Sequence, residues 1–274
     1  LIVDISRYMT EILELNVHER WVRVQPGVVL DELNMFIKPY GLFFGPETST
    51  SNRCMIGGMV GNNACDAHSL IYGSTRDHLI SIKALLSDGS EVEFKPMDKK
   101  SFFLKMESNT FESHLYKHIY DLLSDPLTQE EIRKEFPDSS LTRRNTGYAL
   151  DILLESEPFT GNHQPFNFSK LIAGSEGTLA FITEIKLNLV ELPPPQKGLV
   201  CVHLRTLEEA LQANLICLKH QPAAIELIDS TILECTKANI SQRKNWFFIQ
   251  GDPGAILVVE FACDTLDEIK ENKE

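Results

Sequence analysis

The chain has 274 residues, 43% of them hydrophobic and 24% charged, with a formal net charge of −13. That length allows one large or two smaller domains. No apolar run approaches the roughly 20 residues of a membrane span, no signal peptide or basic transit segment is visible, and so acidic a chain repels nucleic acid. The expectation is a soluble cytoplasmic protein. The six cysteines, Cys54, Cys65, Cys201, Cys217, Cys235 and Cys263, form no Cys-x-x-Cys pair. They read as reduced thiols, and no metal site is expected within the chain.

Leu1-Ile2-Val3 reads as a buried strand at the very start. Trp21 to Gln25 alternates apolar and polar residues and predicts a strand. Pro26-Gly27 turns the chain. Val29, Leu33, Phe36 and Ile37 then recur at helical spacing, and Pro39 ends that helix. Ile82, Ala84 and Leu86 alternate, Asp88-Gly89 supplies a hairpin turn, and Val92 and Phe94 resume the alternation. Helical patterns follow at about 112–124 and 128–135. Residues 155–169 read as a loop, and Leu179 to Leu189 as a long strand. Pro193-Pro194-Pro195 cannot continue a sheet ladder and marks a boundary. Beyond it, Leu199 to His203 predicts a strand. Thr206 with Glu209 predicts a capping box for a helix on which Leu207, Leu211, Leu215 and Leu218 share a face. Ala224 to Ile228 and Ala255 to Ala262 predict two more strands. Thr265 with Glu268 caps a helix that has barely begun when the chain stops. Both ends therefore read as cut, and the expectation is a piece of a longer protein.

Chemistry concentrates between Gly45 and Gly73, in GPETSTSNRCMIGGMVGNNACDAHSLIYG. Gly57, Gly58 and Gly61 let a backbone approach a ligand closely, and successive amides can form a nest for phosphate. Asn62 and Asn63 add side-chain donors, and Thr48, Ser49, Thr50 and Ser51 add hydroxyls upstream. No Gly-Lys-Ser/Thr follows, so this is not a P-loop, nor is it the dinucleotide fingerprint in its strand–turn–helix setting. On glycine content alone, a tight structural turn explains it as well as an anion site does. Two further segments shift the balance: Asn145-Thr146-Gly147-Tyr148-Ala149-Leu150, and Gly174-Ser175-Glu176-Gly177-Thr178-Leu179, which runs straight into a strand.

In their order and spacing, Pro46-Glu47-Thr48-Ser49, Ile56-Gly57-Gly58, Asn62-Asn63-Ala64, Tyr72-Gly73, Gly147-Tyr148 and Gly174 to Thr178 resemble the FAD-binding domain of the vanillyl-alcohol-oxidase, or PCMH, type. Within that type the chain is similar to the D-lactate, glycolate and D-2-hydroxyglutarate dehydrogenase branch. Asn62-Asn63-Ala64-Cys65 and Phe166-Asn167-Phe168-Ser169-Lys170-Leu171 look most like its long bacterial members, which carry a C-terminal iron–sulfur domain. The resemblance covers residues 1–194 and continues at Ile225-Glu226-Leu227-Ile228-Asp229. It implies an α+β fold: a PCMH-type FAD-binding domain over 1–194, lacking its N-terminal phosphate loop, then the beginning of an α+β substrate (cap) domain over 195–274.

The resemblance implies FAD as cofactor. Pro46, Glu47, Thr48 and Ser49 would lie against the isoalloxazine or ribityl region. Ile56, Gly57 and Gly58 would present amides to the diphosphate, and Gly61, Asn62, Asn63 and Ala64 would continue that wall, with Tyr72 and Gly73 beyond it. Glu176, Gly177 and Ile182 would lie near the adenosine, Ile182 through its backbone. An iron–sulfur cluster or a divalent metal would belong to parts of the protein outside this chain. Asp66 stands where the family usually has glycine. Asp tolerates a left-handed backbone better than most residues, but its charge would be unfavourable if it faced a diphosphate.

The implied reaction is oxidation of a 2-hydroxy acid to the 2-oxo acid, a base taking the hydroxyl proton as hydride moves to flavin N5. No catalytic base is assigned. Arg144, beside Arg143, is a candidate cation for the substrate carboxylate, against a plain reading of both as solvated loop residues. Tyr148 either faces the flavin or packs in the core. His68 and His78 read as structural or solvated. Two other readings stand beside this one: a flavoprotein oxidase acting on another alcohol or sugar, and a non-catalytic, degenerate flavin-binding module. The partner is a small-molecule 2-hydroxy acid, with the electron acceptor unassigned. The location is the cytoplasm, with peripheral attachment to the inner membrane as a variant. This chain by itself is expected to be inactive.

Overall fold

The computed structural model describes residues 3–138, 140–141, 143–144 and 147–271. They divide into two compact units. The first comprises the chain up to Asp66 together with Gly73–Leu192, and the second comprises Ala67–Tyr72 together with the chain from Pro193.

The first unit contains β1 (Ile12–Asn16), β2 (Trp21–Val24), β3 (Leu42–Phe43), β4 (Leu79–Leu85), β5 (Glu91–Phe94), β6 (Phe181–Asn188) and β7 (Val190–Glu191). Five of these form an antiparallel sheet in the order β1-β2-β6-β4-β5, and β3 pairs with β7 apart from it. Register follows the two-residue period: Val24 pairs with Ile185, Ile185 with Ile82, and Ile82 with Phe94. All four are buried, so one row across four strands faces the core. The hairpin around Asp88-Gly89 is as predicted; Asp88 Oδ1 accepts from Ser90 N–H, and Gly89 is left-handed at φ 85.

Helices cover the apolar face. Leu30–Ile37 buries Leu30, Leu33 and Ile37 while Phe36 is turned outward. Pro39 ends this helix, but in a 3-10 turn over Lys38–Tyr40. Phe111–Ser124 and Pro126–Glu135 match the predicted helical stretches. Their N-caps Thr110 and Asp125 each accept a backbone N–H three residues on. Phe102, Tyr116, Phe166 and Phe168 form an aromatic cluster with centroids as close as 4.7 Å. A helix over Lys99–Met106 was not predicted, and the expected loop at 155–169 contains a helical turn, Glu157–Thr160. Of the strand expected at Leu1-Ile2-Val3, the first two residues lie outside the described residues. Val3 is exposed and in no strand.

In the second unit, β8 (Gln196–Leu204), β9 (Ala224–Asp229) and β10 (Ala255–Cys263) make an antiparallel sheet in the order β8-β10-β9. Ala255, Leu257, Val259 and Phe261 of β10 pack with Ala210 and Ile269 from the helices Leu207–Cys217 and Leu266–Glu271. The leucine face foreseen on Leu207–Cys217 is present but points outward: Leu207, Leu211, Leu215 and Leu218 are exposed, while Ala210, Ala213 and Cys217 meet the sheet. Small residues let helix and sheet approach closely there. Thr206 accepts from Glu209 N–H, but the Glu209 carboxylate takes Arg205 N–H, one residue early for a full capping box. In the same unit His68 Nε2 and Lys197 Nζ both lie 2.9 Å from Glu260 Oε1. Burial pushes the Glu260 carboxyl up, but those two partners outweigh it and hold it below the ordinary carboxylate range.

Candidate functional site

The glycine run is not a loop. Ile56–Asn62 is a helix that buries Ile56, Met59 and Val60. Its glycines have different tasks. A Cβ on Gly57 would stand 2.6 Å from the Pro26 Cβ, so Gly57 is demanded by packing. The Ile56 N–H donates to Val28 O at 2.9 Å and the Gly57 N–H to Pro26 O at 2.7 Å. These amides, expected to face a diphosphate, are committed within the chain because the helix start is laced to the segment after β2. Gly58 differs: its amide has no acceptor among the described residues, and a Cβ there would meet nothing within 4 Å.

Upstream, the Pro46–Ser49 segment enters a series of turns. Pro46 is buried, Glu47 and Thr48 are half-buried, and Ser49 is exposed. The Thr48 hydroxyl donates to Cys54 Sγ at 3.1 Å. Carbonyls of Ser51 and Cys54 accept Asp31 and Leu30 N–H, which caps the helix Leu30–Ile37.

The glycine helix closes on Asn63, left-handed at φ 54, with Ala64 N–H returning to Met59 O at 2.9 Å. Asn63 is the left-handed residue of this segment; Asp66 is not left-handed, so glycine is not required there. The Asn63 side chain is fully buried. Its Oδ1 accepts Arg76 N–H at 2.8 Å, and its Nδ2 has no partner among the described residues. Ala64 O accepts both the N–H and the hydroxyl of Thr75. Asn62 is exposed and donates to Glu176 Oε1 at 2.9 Å.

The other two segments meet this helix. Gly174 N–H donates to Val60 O at 2.9 Å and Glu176 N–H to Gly61 O at 2.8 Å. Glu176 (φ 52) and Gly177 (φ 70) are successive left-handed residues. A Cβ on Gly61 would stand 3.7 Å from Gly177 N, an ordinary contact, so the two segments lie flush. The hydroxyls of Tyr148 and Thr178 are 2.8 Å apart. Tyr148 is exposed, so of its two readings the core one is excluded. Asn145 and Thr146 lie outside the described residues. Gly58, Asn62, Glu176, Gly177 and Tyr148 are all exposed, on segments joined by the bonds above.

Other predicted residues are placed differently. Arg144 is paired with Asp151 at 2.7 Å, and its charge is thereby neutralised; Arg143 is exposed. Gly73 is left-handed at φ 69, and a Cβ there would meet Asp77 Oδ2 at 2.6 Å. Tyr72 belongs to the segment grouped with the second unit. Ile182 pairs with Ala84, in the part of β6 that β2 does not reach. His78 is buried beneath Phe44, with Nδ1 at 3.2 Å from Asn188 O. Among the described residues, no group of His, Cys, Asp or Glu side chains is placed to hold a metal ion.

Sequence reasoning missed Arg76 and Lys170. The Arg76 guanidinium is buried and donates to four backbone carbonyls: Lys170 O (3.0 Å), Ala173 O (2.5 Å), Gly147 O (3.4 Å) and Arg144 O (3.4 Å). Lys170 Nζ donates in return to Arg76 O (2.7 Å) and Leu79 O (2.8 Å). Burial lowers both, aided at Arg76 by the charge of Arg144 and at Lys170 by that of Arg76; Lys170 is pushed down to about 8. A lone basic residue in a turn carries no local pattern, so nothing in the sequence marks it.

Residues 1–95 match the family described as "FAD binding domain". The chain is 37% identical to D-2-hydroxyglutarate dehydrogenase of Haemophilus influenzae over 98% of this chain and 26% of that protein. It is 24% identical to the glycolate oxidase subunit GlcD of Bacillus subtilis over 85% of this chain and 37% of that protein. A solved alkyldihydroxyacetonephosphate synthase shares the fold at 15% identity, with a TM-score of 0.57 over 97% of this chain and 39% of that one. The chain spans about a quarter of the length of the dehydrogenases it matches. It carries a PCMH-type FAD-binding domain and is a homologue of the FAD-linked oxidases that include D-2-hydroxyglutarate dehydrogenase, the glycolate oxidase subunit GlcD and D-lactate dehydrogenase.

Proposed function

We propose that this chain forms the flavin-holding part of an FAD-dependent dehydrogenase that oxidises a D-2-hydroxy acid to the 2-oxo acid, with D-2-hydroxyglutarate as the first substrate to test. The observation that carries the reading is the 34–37% identity to D-2-hydroxyglutarate dehydrogenases along nearly the whole chain. Domain roles follow it: residues 1–194 hold FAD, and 195–274 begin the substrate domain. The location that accompanies this reading is the cytoplasm; no helix among the described residues is long and apolar enough to cross a membrane.

The first unit's own features fit a dinucleotide. Gly58 offers an amide with no acceptor among the described residues, over open ground, and Gly177 is equally uncovered. The buried Asn63 Nδ2 is a donor without a partner among the described residues, an arrangement that is costly unless something supplies an acceptor. In this reading Gly58, Gly61, Asn62 and Gly177 line the diphosphate and adenosine side. Pro46 to Ser49 lie toward the isoalloxazine or ribityl region, and Ile182 contributes backbone from the open part of β6. Ile56, Gly57, Asn63 and Ala64 hold that wall in place from behind. Bound FAD would accept the hydride; the chain's part is to orient it and keep its phosphates hydrogen-bonded. Arg144, already neutralised by Asp151, is not assigned to the substrate carboxylate.

The test is the complete protein, purified and assayed for bound FAD and for dye reduction with D-2-hydroxyglutarate, D-lactate and glycolate. Flavin with hydroxy-acid turnover supports the proposal. Flavin with turnover only of another alcohol or a sugar replaces the substrate class. A folded protein without flavin makes this a degenerate module.

A further inference from the structure

We infer that Arg76 is the positioning residue that holds the three glycine-bearing segments together as one cofactor wall, an inference that rests on the flavin reading above. The three segments are distant in sequence and none is held by the sheet alone. Arg76 touches each. Its own N–H is fixed by Asn63 Oδ1, at the close of the glycine helix. Its guanidinium holds Gly147 O, beside Tyr148, and Ala173 O, one residue before the Gly174 turn. Nε takes Lys170 O, at the start of the segment that leads into that turn.

The chemistry suits arginine alone. A planar fork of five N–H donors can serve carbonyls from several directions at fixed angles, whereas an ammonium is a compact point donor. The space around it is cut to the guanidinium: a Cβ on Gly174 would stand 2.5 Å from Arg76 Nη2, and Gly174 is left-handed at φ 89. Glycine at 174 is thus required twice, once by the backbone and once by Arg76.

The partners of the Arg76 guanidinium among the described residues are all backbone carbonyls, and Lys170, a second, half-buried cation, donates to Arg76 O. The carboxylates of Asp77 and Asp151 act on Arg76 only through space, and Arg144 opposes them. Burying one cation with a second half-buried beside it is costly, and neutral donors would hold carbonyls at less cost. An anionic ligand above the wall would draw on that charge, and the diphosphate of a dinucleotide is such an anion.

The experiment compares the complete protein with R76K, G174A and V92A, the last a core truncation in β5, the sheet's outer strand. Each is measured for thermal stability without added FAD, for FAD affinity by flavin fluorescence quenching, and for the visible spectrum of bound flavin. R76K keeps the charge but loses the fork; we expect its FAD affinity to fall about tenfold or more, with a shifted flavin spectrum. G174A, which displaces the guanidinium without removing it, should reproduce both changes. V92A should lose stability yet bind FAD as the wild type does. If R76K and G174A bind FAD normally with an unchanged spectrum, or if V92A weakens binding as much as R76K at the same loss of stability, the inference is overturned. A wild-type protein that takes up no FAD overturns the flavin reading itself, a separate result.

Discussion

Gly57 and Pro26 meet at the distance of a missing side chain: a Cβ on Gly57 would lie 2.6 Å from the Pro26 Cβ, and the Gly57 N–H is bonded to Pro26 O. Gly58, one residue on, faces open space. Two adjacent glycines thus have opposite reasons. Gly57→Ala overpacks a backbone contact and should destabilise by about 1–3 kcal/mol. Gly58→Ala meets no obstacle and, in a helix, should be neutral or stabilising by up to about 1 kcal/mol, while reducing FAD retention. Urea unfolding and flavin content of both variants check the pair. Equal stability losses would contradict the division.

Glu176 holds a left-handed backbone at φ 52 and accepts from Asn62 at an exposed site. Left-handed geometry costs a non-glycine residue roughly 1–2 kcal/mol, and an exposed hydrogen bond returns little of that. Glu176→Gly should therefore leave stability unchanged or raise it by up to about 1 kcal/mol. Chemical denaturation measures it. A clear loss of stability would show that the Asn62–Glu176 bond outweighs the backbone strain.

Lys170, lowered by burial to about 8 from its ordinary 10.5, gives a pH signature. Between these values the unfolded chain binds the proton more readily than the folded one, so stability rises with pH across that window. Below it both states are protonated and the slope vanishes. The difference in unfolding free energy between wild type and Lys170→Met should increase in favour of wild type as pH climbs from about 8 toward 10.5. A flat difference would mean the ammonium keeps its ordinary proton affinity inside its carbonyl cradle.

Glu260 gives a slope of the same sign, but in acid, because its carboxyl is also lowered in the folded state. His68 and Lys197 hold its carboxyl below the ordinary range despite burial. The stabilisation from its charge is complete above the unfolded value and is lost as pH falls through the folded one. Glu260→Gln should be less stable than wild type at neutral pH, and the gap should close in acid. A pH-independent gap would assign the effect to shape and not to charge.

Much of the sheet was legible in the sequence because its signals are local. The hairpin joining Ile82-Ala84-Leu86 to Val92-Phe94 needs only alternation and a turn at Asp88-Gly89, and the register follows. The glycine helix was not legible. Three glycines in seven residues lower helix propensity, and Ile56–Asn62 is helical because Ile56, Met59 and Val60 are buried in the core and Asn63 caps it. The leucine spacing of 207–218 identified a helix but not its buried side; Ala210, Ala213 and Cys217 fit the close approach to β10. The order of the glycine segments pointed to one site, and the backbone bonds Gly174–Val60 and Glu176–Gly61 join two of them. Arg76, which ties in the third, bonds across residues distant in sequence and left no trace.

The most direct measurement of the central claim is anaerobic titration of the complete purified protein with D-2-hydroxyglutarate, followed by the visible absorbance of its flavin. About one FAD per chain is expected, with the oxidised flavin band bleaching as 2-oxoglutarate forms in equal amount. A folded protein that carries no flavin, or whose flavin stays oxidised with every 2-hydroxy acid supplied, would contradict it.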